Sequence, residues 1–140
     1  MSNRRLTMVV TFAIAMLAGI WGMQHASAQA PAGFKRVELT RHDLAGSKDH
    51  EVVLARAEFQ PGASVPKHTH PGDEVGYVLE GEVVFEMDGK PVMNLKAGDS
   101  FYVPGGTVHT AKNPGKKGTM ILSTYIVEKG KPLATPVAAK

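Results

Sequence analysis

From Glu51 onward, apolar residues come in short runs rich in Val, Ile, Leu, Phe and Tyr, and each run is cut by Gly, Pro or Asp-Gly before a helical period can establish itself. Short runs bounded by such breakers are the pattern of β-strands. The pattern predicts strands over 51–60, 64–69, 74–80, 82–87, 90–95, 100–103, 107–113 and 119–128. Asp88-Gly89 reads as a two-residue hairpin turn, in which both central residues take positive φ. Residues 95–99 read as a second turn. Regularly spaced short strands with turn signals between them predict an all-β sandwich or barrel.

The first 28 residues break this pattern. Arg4 and Arg5 give a basic start, Leu6 to Trp21 is apolar and uncharged, and Ala26-Ser27-Ala28 supplies the small residues a signal peptidase accepts. A secretory leader over 1–28 is therefore expected, and with it a periplasmic or secreted protein. The alternative is a retained membrane anchor, although the apolar run falls short of the ~20 residues that span a bilayer. The remainder divides into an N-terminal extension with an edge strand over 29–50, the β-domain over 51–128, and a loose tail rich in Pro, Ala and Lys over 129–140.

Charge changes the picture once the leader is set aside. The whole chain carries a net +3, but the leader holds two of its 16 basic residues and none of its 13 acidic ones, which leaves 14 against 13. A nearly neutral domain predicts no nucleic-acid partner, and no stable membrane insertion is expected after cleavage. Lys116 and Lys117 read as a solvated loop. Cysteine is absent, so the domain has no disulfide, no thiolate metal ligand and no thiol nucleophile. Stability must come from the core, from a bound metal or from assembly.

Residue types that can hold a metal gather in two clusters. His68 and His70 are one residue apart, so on a strand both imidazoles face the same way. Glu74 follows Pro71-Gly72-Asp73, a turn that can return a carboxylate toward them, and His109 comes from a distant strand. Three imidazoles and one carboxylate suit Fe(II), Mn(II), Co(II), Ni(II), Cu(II) or Zn(II) without selecting among them, and leave up to two octahedral positions open. The alternative is a set of satisfied polar residues, at a large desolvation cost for three buried imidazoles. With ordinary imidazole pKa values, protons displace such a metal toward and below pH ~6.

Other residues carry weaker signals. His42 and His50 read as exposed, and Asp73 and Asp99 as caps of their own turns. Tyr77 should face away from Glu74, whereas Gly76 should share its face and leave room beside an ion. Phe85, Met87, Met93, Phe101 and Met120 can line an apolar pocket over the metal or serve as ordinary core.

With the glycines and prolines included, the first cluster is Gly62, His68, His70, Glu74 and Gly81, and the second is Gly98, Pro104, Gly106, His109 and Asn113. In residue type and spacing these resemble the two signature motifs of the cupin superfamily, and the chain is similar to its small, single-domain, quercetinase-like members. The resemblance implies a conical β-barrel, the double-stranded β-helix or jelly roll, with one divalent metal held inside by His68, His70, Glu74 and His109. It also implies a homodimer and a small-molecule substrate or ligand. Three functions stay open, because a fold hosts many chemistries. The first is a dioxygenase-like oxidoreductase in which Glu74 is both ligand and catalytic proton acceptor. The second is metal-anchored binding without catalysis. The third is a non-oxidative isomerase or lyase, which needs a further acid or base facing the ion.

Overall fold

The computed structural model describes residues 31–138; the expected leader over 1–28 and its cleavage lie outside the described residues. Ten strands follow in order: β1 (Phe34–Asp43), β2 (His50–Phe59), β3 (Ser64–Thr69), β4 (Gly72–Glu80), β5 (Glu82–Met87), β6 (Met93–Lys96), β7 (Ser100–Val103), β8 (His109–Lys112), β9 (Thr119–Glu128) and β10 (Thr135–Pro136). They form two five-stranded sheets, ordered β1-β2-β9-β4-β7 and β10-β3-β8-β5-β6, with every pairing antiparallel. The architecture is the expected all-β jelly roll.

Strict alternation decides what each strand buries. Along β2, Val53, Ala55, Ala57 and Phe59 face inward, and along β9 Thr119, Ile121, Ser123, Tyr125 and Val127 do the same. Phe59, Val78, Val83, Phe85, Phe101, Val103 and Ile121 build the main core, while Val53, Ala55, Tyr125 and Val127 form a second cluster with Leu133 against it. Each buried Phe of the main core contributes about 1.5–3 kcal/mol. Ser123 lies between the two clusters on β9, so a polar gap separates them.

The motif positions that carry no metal-ligand chemistry hold backbone geometry. Gly81 has φ +76° and a Cβ there would lie 2.6 Å from the Gly118 carbonyl oxygen, which excludes any other residue. Asn113 is fully buried, and its Nδ2 donates to the carbonyls of Phe59, Gln60 and Lys117, the last at 2.7 Å. Its Oδ1 accepts from the Gly115 N–H at 2.9 Å. One amide thus fastens the end of β2 to the loop over 113–117.

Several expectations need correction. Asp88 does not take positive φ; Gly89 alone does, at +75°, and Lys90 N–H bonds to the Met87 carbonyl. The following strand begins only at Met93, because Pro91 has no N–H to give a ladder. Pro71-Gly72-Asp73 is not a free turn: Gly72 opens β4 opposite Val127, where a Cβ would lie 2.1 Å from the Ile126 carbonyl oxygen. Pro104 and Thr107 form a hydrogen-bonded turn, so β8 starts at His109 and not at 107. The tail is not loose over its described length. Thr135 and Pro136 pair with Thr69 and His68, and Val137 N–H bonds to the Lys67 carbonyl. Proline is tolerated there because the strand is at a sheet edge.

Candidate metal centre

His68, His70 and His109 are brought together by β3, the turn after it, and β8. His68 and His109 are direct partners across the β3–β8 pairing, next to a register shift between Val65 and His68. The ring centroids lie 4.3 to 5.0 Å apart, and the three ligating nitrogens all fall within 4.8 Å of one another. Glu74, opposite Tyr125 and Val103 in its sheet, presents Oε2 3.2 Å from His70 Nε2 and 3.4 Å from His109 Nε2. None of the four is more than 7 % exposed.

Backbone carbonyls fix how these rings are used. His68 Nδ1 faces the Pro66 carbonyl at 2.8 Å, His109 Nδ1 the Thr107 carbonyl at 2.9 Å, and His70 Nδ1 the Leu133 carbonyl. A carbonyl only accepts, so Nδ1 must donate, and in a neutral ring Nε2 is then a bare lone pair. The Nε2 atoms of His70 and His109 are buried and have no hydrogen-bond partner among the described residues. Bare lone pairs therefore face a carboxylate oxygen, which is repulsive until a cation or a proton enters. The residues present fit a divalent ion on this ground.

Electrostatics points the same way. Burial, reinforced by the neighbouring His109, pushes His68 down to about 4, so its imidazole stays neutral and available at lower pH than an ordinary one. Burial pushes the Glu74 carboxyl up; in the metal-free site a proton on Nε2 of His109 or His70, in the place an ion would otherwise take, donates to it and with Ser123 holds it below the usual carboxylate range. Burial and then the charge of Glu74 push the Tyr125 phenol up, so it keeps its proton.

A cavity of about 30 Å³ adjoins His68, Glu74 and His109 and is lined also by Phe34, Arg36, Phe59, Phe85, Phe101 and Tyr125, among others. Of the apolar residues expected at a pocket, Phe85 and Phe101 line it, whereas Met87, Met93 and Met120 do not. Met120 lies on the half-buried side of β9. Gly76 leaves no room for a ligand, since Phe101 fills the place: a Cβ would lie 2.0 Å from Phe101 Cζ. Tyr77 faces outward and is 46 % exposed, as alternation requires. Asp99 caps its own turn by accepting from Lys96 N–H at 2.9 Å, but Asp73 accepts from Gly105 N–H at 2.9 Å and so ties the two motif regions together. His42 is exposed, and His50 is half-buried beside the Ser47 hydroxyl at 3.2 Å.

Sequence reasoning missed Arg36, Ser123, Tyr125 and the Leu133 carbonyl. Ser123 and Tyr125 had a signal, since β9 alternation puts both on one face. Arg36 and Leu133 had none, because only the pairing of the terminal strands brings them near.

The cupin-domain family model matches residues 55–125. A germin-like protein of Arabidopsis thaliana (subfamily 2 member 2) is 38 % identical over 87 residues, covering 59 % of this chain and 40 % of that protein. An oxalate-binding protein of Thermotoga maritima is 38 % identical over 76 residues, covering 54 % of this chain and 62 % of its own length. Among solved structures, an oxalate oxidase in complex with the substrate analogue glycolate superimposes with TM-score 0.55 at 25 % identity, over 66 % of this chain and 50 % of that one. The chain spans about half the length of the curated relatives it matches.

Proposed function

The chain belongs to the cupin superfamily, and on that footing we propose that it binds one divalent transition metal through His68, His70, His109 and Glu74 and acts on a small organic molecule as a dioxygenase-like oxidoreductase. The observation that carries this reading is the convergence of the buried, unpartnered Nε2 atoms of His70 and His109 on the Glu74 carboxylate. When bound, such an ion supplies a Lewis acid and, if redox-active, an electron relay between substrate and dioxygen. The donor set leaves Fe, Mn, Co, Ni, Cu and Zn as candidates. Glu74, kept ionised, is placed to accept a substrate proton as well as to ligate. Phe85 and Phe101 give the cavity an apolar wall beside that carboxylate.

The relatives named for oxalate make it the first compound to offer. Oxygen uptake by Fe(II)- or Mn(II)-loaded protein should exceed that of His109→Ala on a panel of oxalate, other small acids and enolisable compounds; equal rates on every member would contradict the oxidative reading. Two further readings have an observation each. The relative named an oxalate-binding protein supports binding without turnover, which tight association and an unchanged ligand would reveal. Tyr125, lining the cavity, is the additional titratable group a non-oxidative reaction needs. Its raised pKa keeps the phenol protonated, a hydrogen-bond donor and not a base at neutral pH; the similarity to oxalate oxidases gives the oxidative reading first place.

Two proposals concern the protein as a whole. Val75, Tyr77, Leu79 and Tyr102 are exposed on the outer face of one sheet, and Val75 is directly opposite Tyr102. Such a face supports a homodimer, which sedimentation would report as twice the chain mass, against one chain mass for a monomer. The leader supports a periplasmic or secreted location, which a mature N-terminus at Gln29 or beyond would bear out and an intact Met1 would contradict.

A further inference from the structure

Arg36 is the cavity residue that the metal reading leaves without a task. It lies on β1 in register with Ala57, and its side chain lines the same cavity as His68, Glu74 and His109. Its Nε is buried and has no hydrogen-bond partner among the described residues. None of the ion pairs among the described residues includes it, whereas Arg41 pairs with Glu38 and Glu51, and Arg56 with Glu58. A dry, unmatched guanidinium donor is unfavourable, and it persists where something else needs it. Phe34 helps to hold it: the Arg36 Cζ lies 6.0 Å from the centre of that ring, which itself packs 4.8 Å from Phe59.

We propose that Arg36 is the recognition residue for a short dicarboxylate whose other end occupies the metal centre. The proposal rests on the metal reading above. A divalent ion with one carboxylate and three neutral imidazoles retains one positive charge, and Arg36 adds a second. A dianion neutralises both. The planar guanidinium fork suits one carboxylate group through paired N–H···O bonds, which a lysine ammonium cannot reproduce. The second carboxylate group then falls to the open positions of the ion. The phenylalanine-lined wall of the cavity lowers the local polarity and strengthens each charge contact.

The test uses wild type, Arg36→Gln and Arg36→Lys, each with metal content and melting temperature measured, and each titrated calorimetrically with oxalate, malonate and uncharged oxamide. At equal metal content, wild type is expected to bind at least one dianion roughly tenfold to a hundredfold more tightly than Arg36→Gln. Arg36→Lys should fall between them, and oxamide should bind no differently across the three. Equal dianion affinity in wild type and Arg36→Gln, or no dianion binding by metal-loaded wild type, overturns the assignment. If Arg36→Gln fails to fold, Arg36→Lys carries the comparison, with a several-fold loss supporting the role and equal affinity contradicting it. Wild type that retains no metal overturns the metal reading instead, and Arg36 then stands or falls on the same titration of the metal-free protein.

Discussion

The strands that carry the two histidine clusters and the strands at the chain ends meet at one centre but serve it differently. On the clustered side, β4 and β8, β3 and the turn after it supply the side chains themselves, His68, His70, Glu74 and His109. From the ends, β1 supplies a guanidinium at the cavity wall, and the segment before β10 supplies the Leu133 carbonyl that orients His70. Ligands announce themselves by residue type and spacing. Orienting groups do not, since any residue has a carbonyl and many strands have an arginine. Two of the three orienting carbonyls, Pro66 and Thr107, belong to the clustered side, while the third, Leu133, and the Arg36 guanidinium come from parts of the chain whose composition reads as featureless.

The largest effect is expected on the clustered side. His68→Ala and Glu74→Gln should lose metal, and with it the stabilisation that metal gives the wild type, on the order of 10 °C in melting temperature at a hundredfold excess over Kd. Thermal melts with and without chelator check this; a wild-type melting temperature that chelator does not move would make the ion incidental to the fold. A smaller effect is expected from the chain end. Deleting residues 131–140 removes the Leu133 carbonyl and the β10 pairing, and metal affinity should fall roughly tenfold to a hundredfold. Competition against a chromophoric chelator measures it, and unchanged affinity would show that His70 needs no orienting partner.

The smallest effect is on acid stability of the metal-free protein. His68 is held down to about 4 by burial while an unfolded histidine titrates near 6.5, so the unfolded chain takes up the proton first. Its contribution is fully present above pH 6.5 and is lost as pH falls toward 4; Glu74, also held low, adds to the loss below the ordinary carboxylate range. The urea midpoint of chelator-treated protein should therefore drop between pH 7 and pH 5, and less so in His68→Gln. A flat midpoint in wild type would contradict it. The same burial places proton competition for the metal at His68 lower than the pH of ~6 that an ordinary imidazole implies.

Much of this was legible in the sequence. Spacing put His68 with His70, although His70 lies just past the end of β3, alternation sent Tyr77 outward, and the spacing of breakers marked eight of the strands within a few residues. What stayed hidden depends on pairing between distant segments. An edge strand was expected within 29–50, but β1 is mostly polar and exposed, so its bounds and its pairing with β2 rest on backbone bonds that no side-chain pattern advertises. The tail, rich in Pro and Ala, looked loose, yet edge pairing with β3 needs little more than two free backbone groups. Gly76 misled because an absent side chain can make space either for a ligand or for a neighbour, and here Phe101 takes it.

The central claim is that His68, His70, His109 and Glu74 hold one divalent ion. Elemental analysis of protein purified from its own compartment tests it most directly. One transition-metal ion per chain in the wild type, absent from His109→Ala purified in parallel, is the predicted result, and a redox-active metal would favour the oxidative reading over zinc. Wild type that carries no more metal than His109→Ala would contradict it.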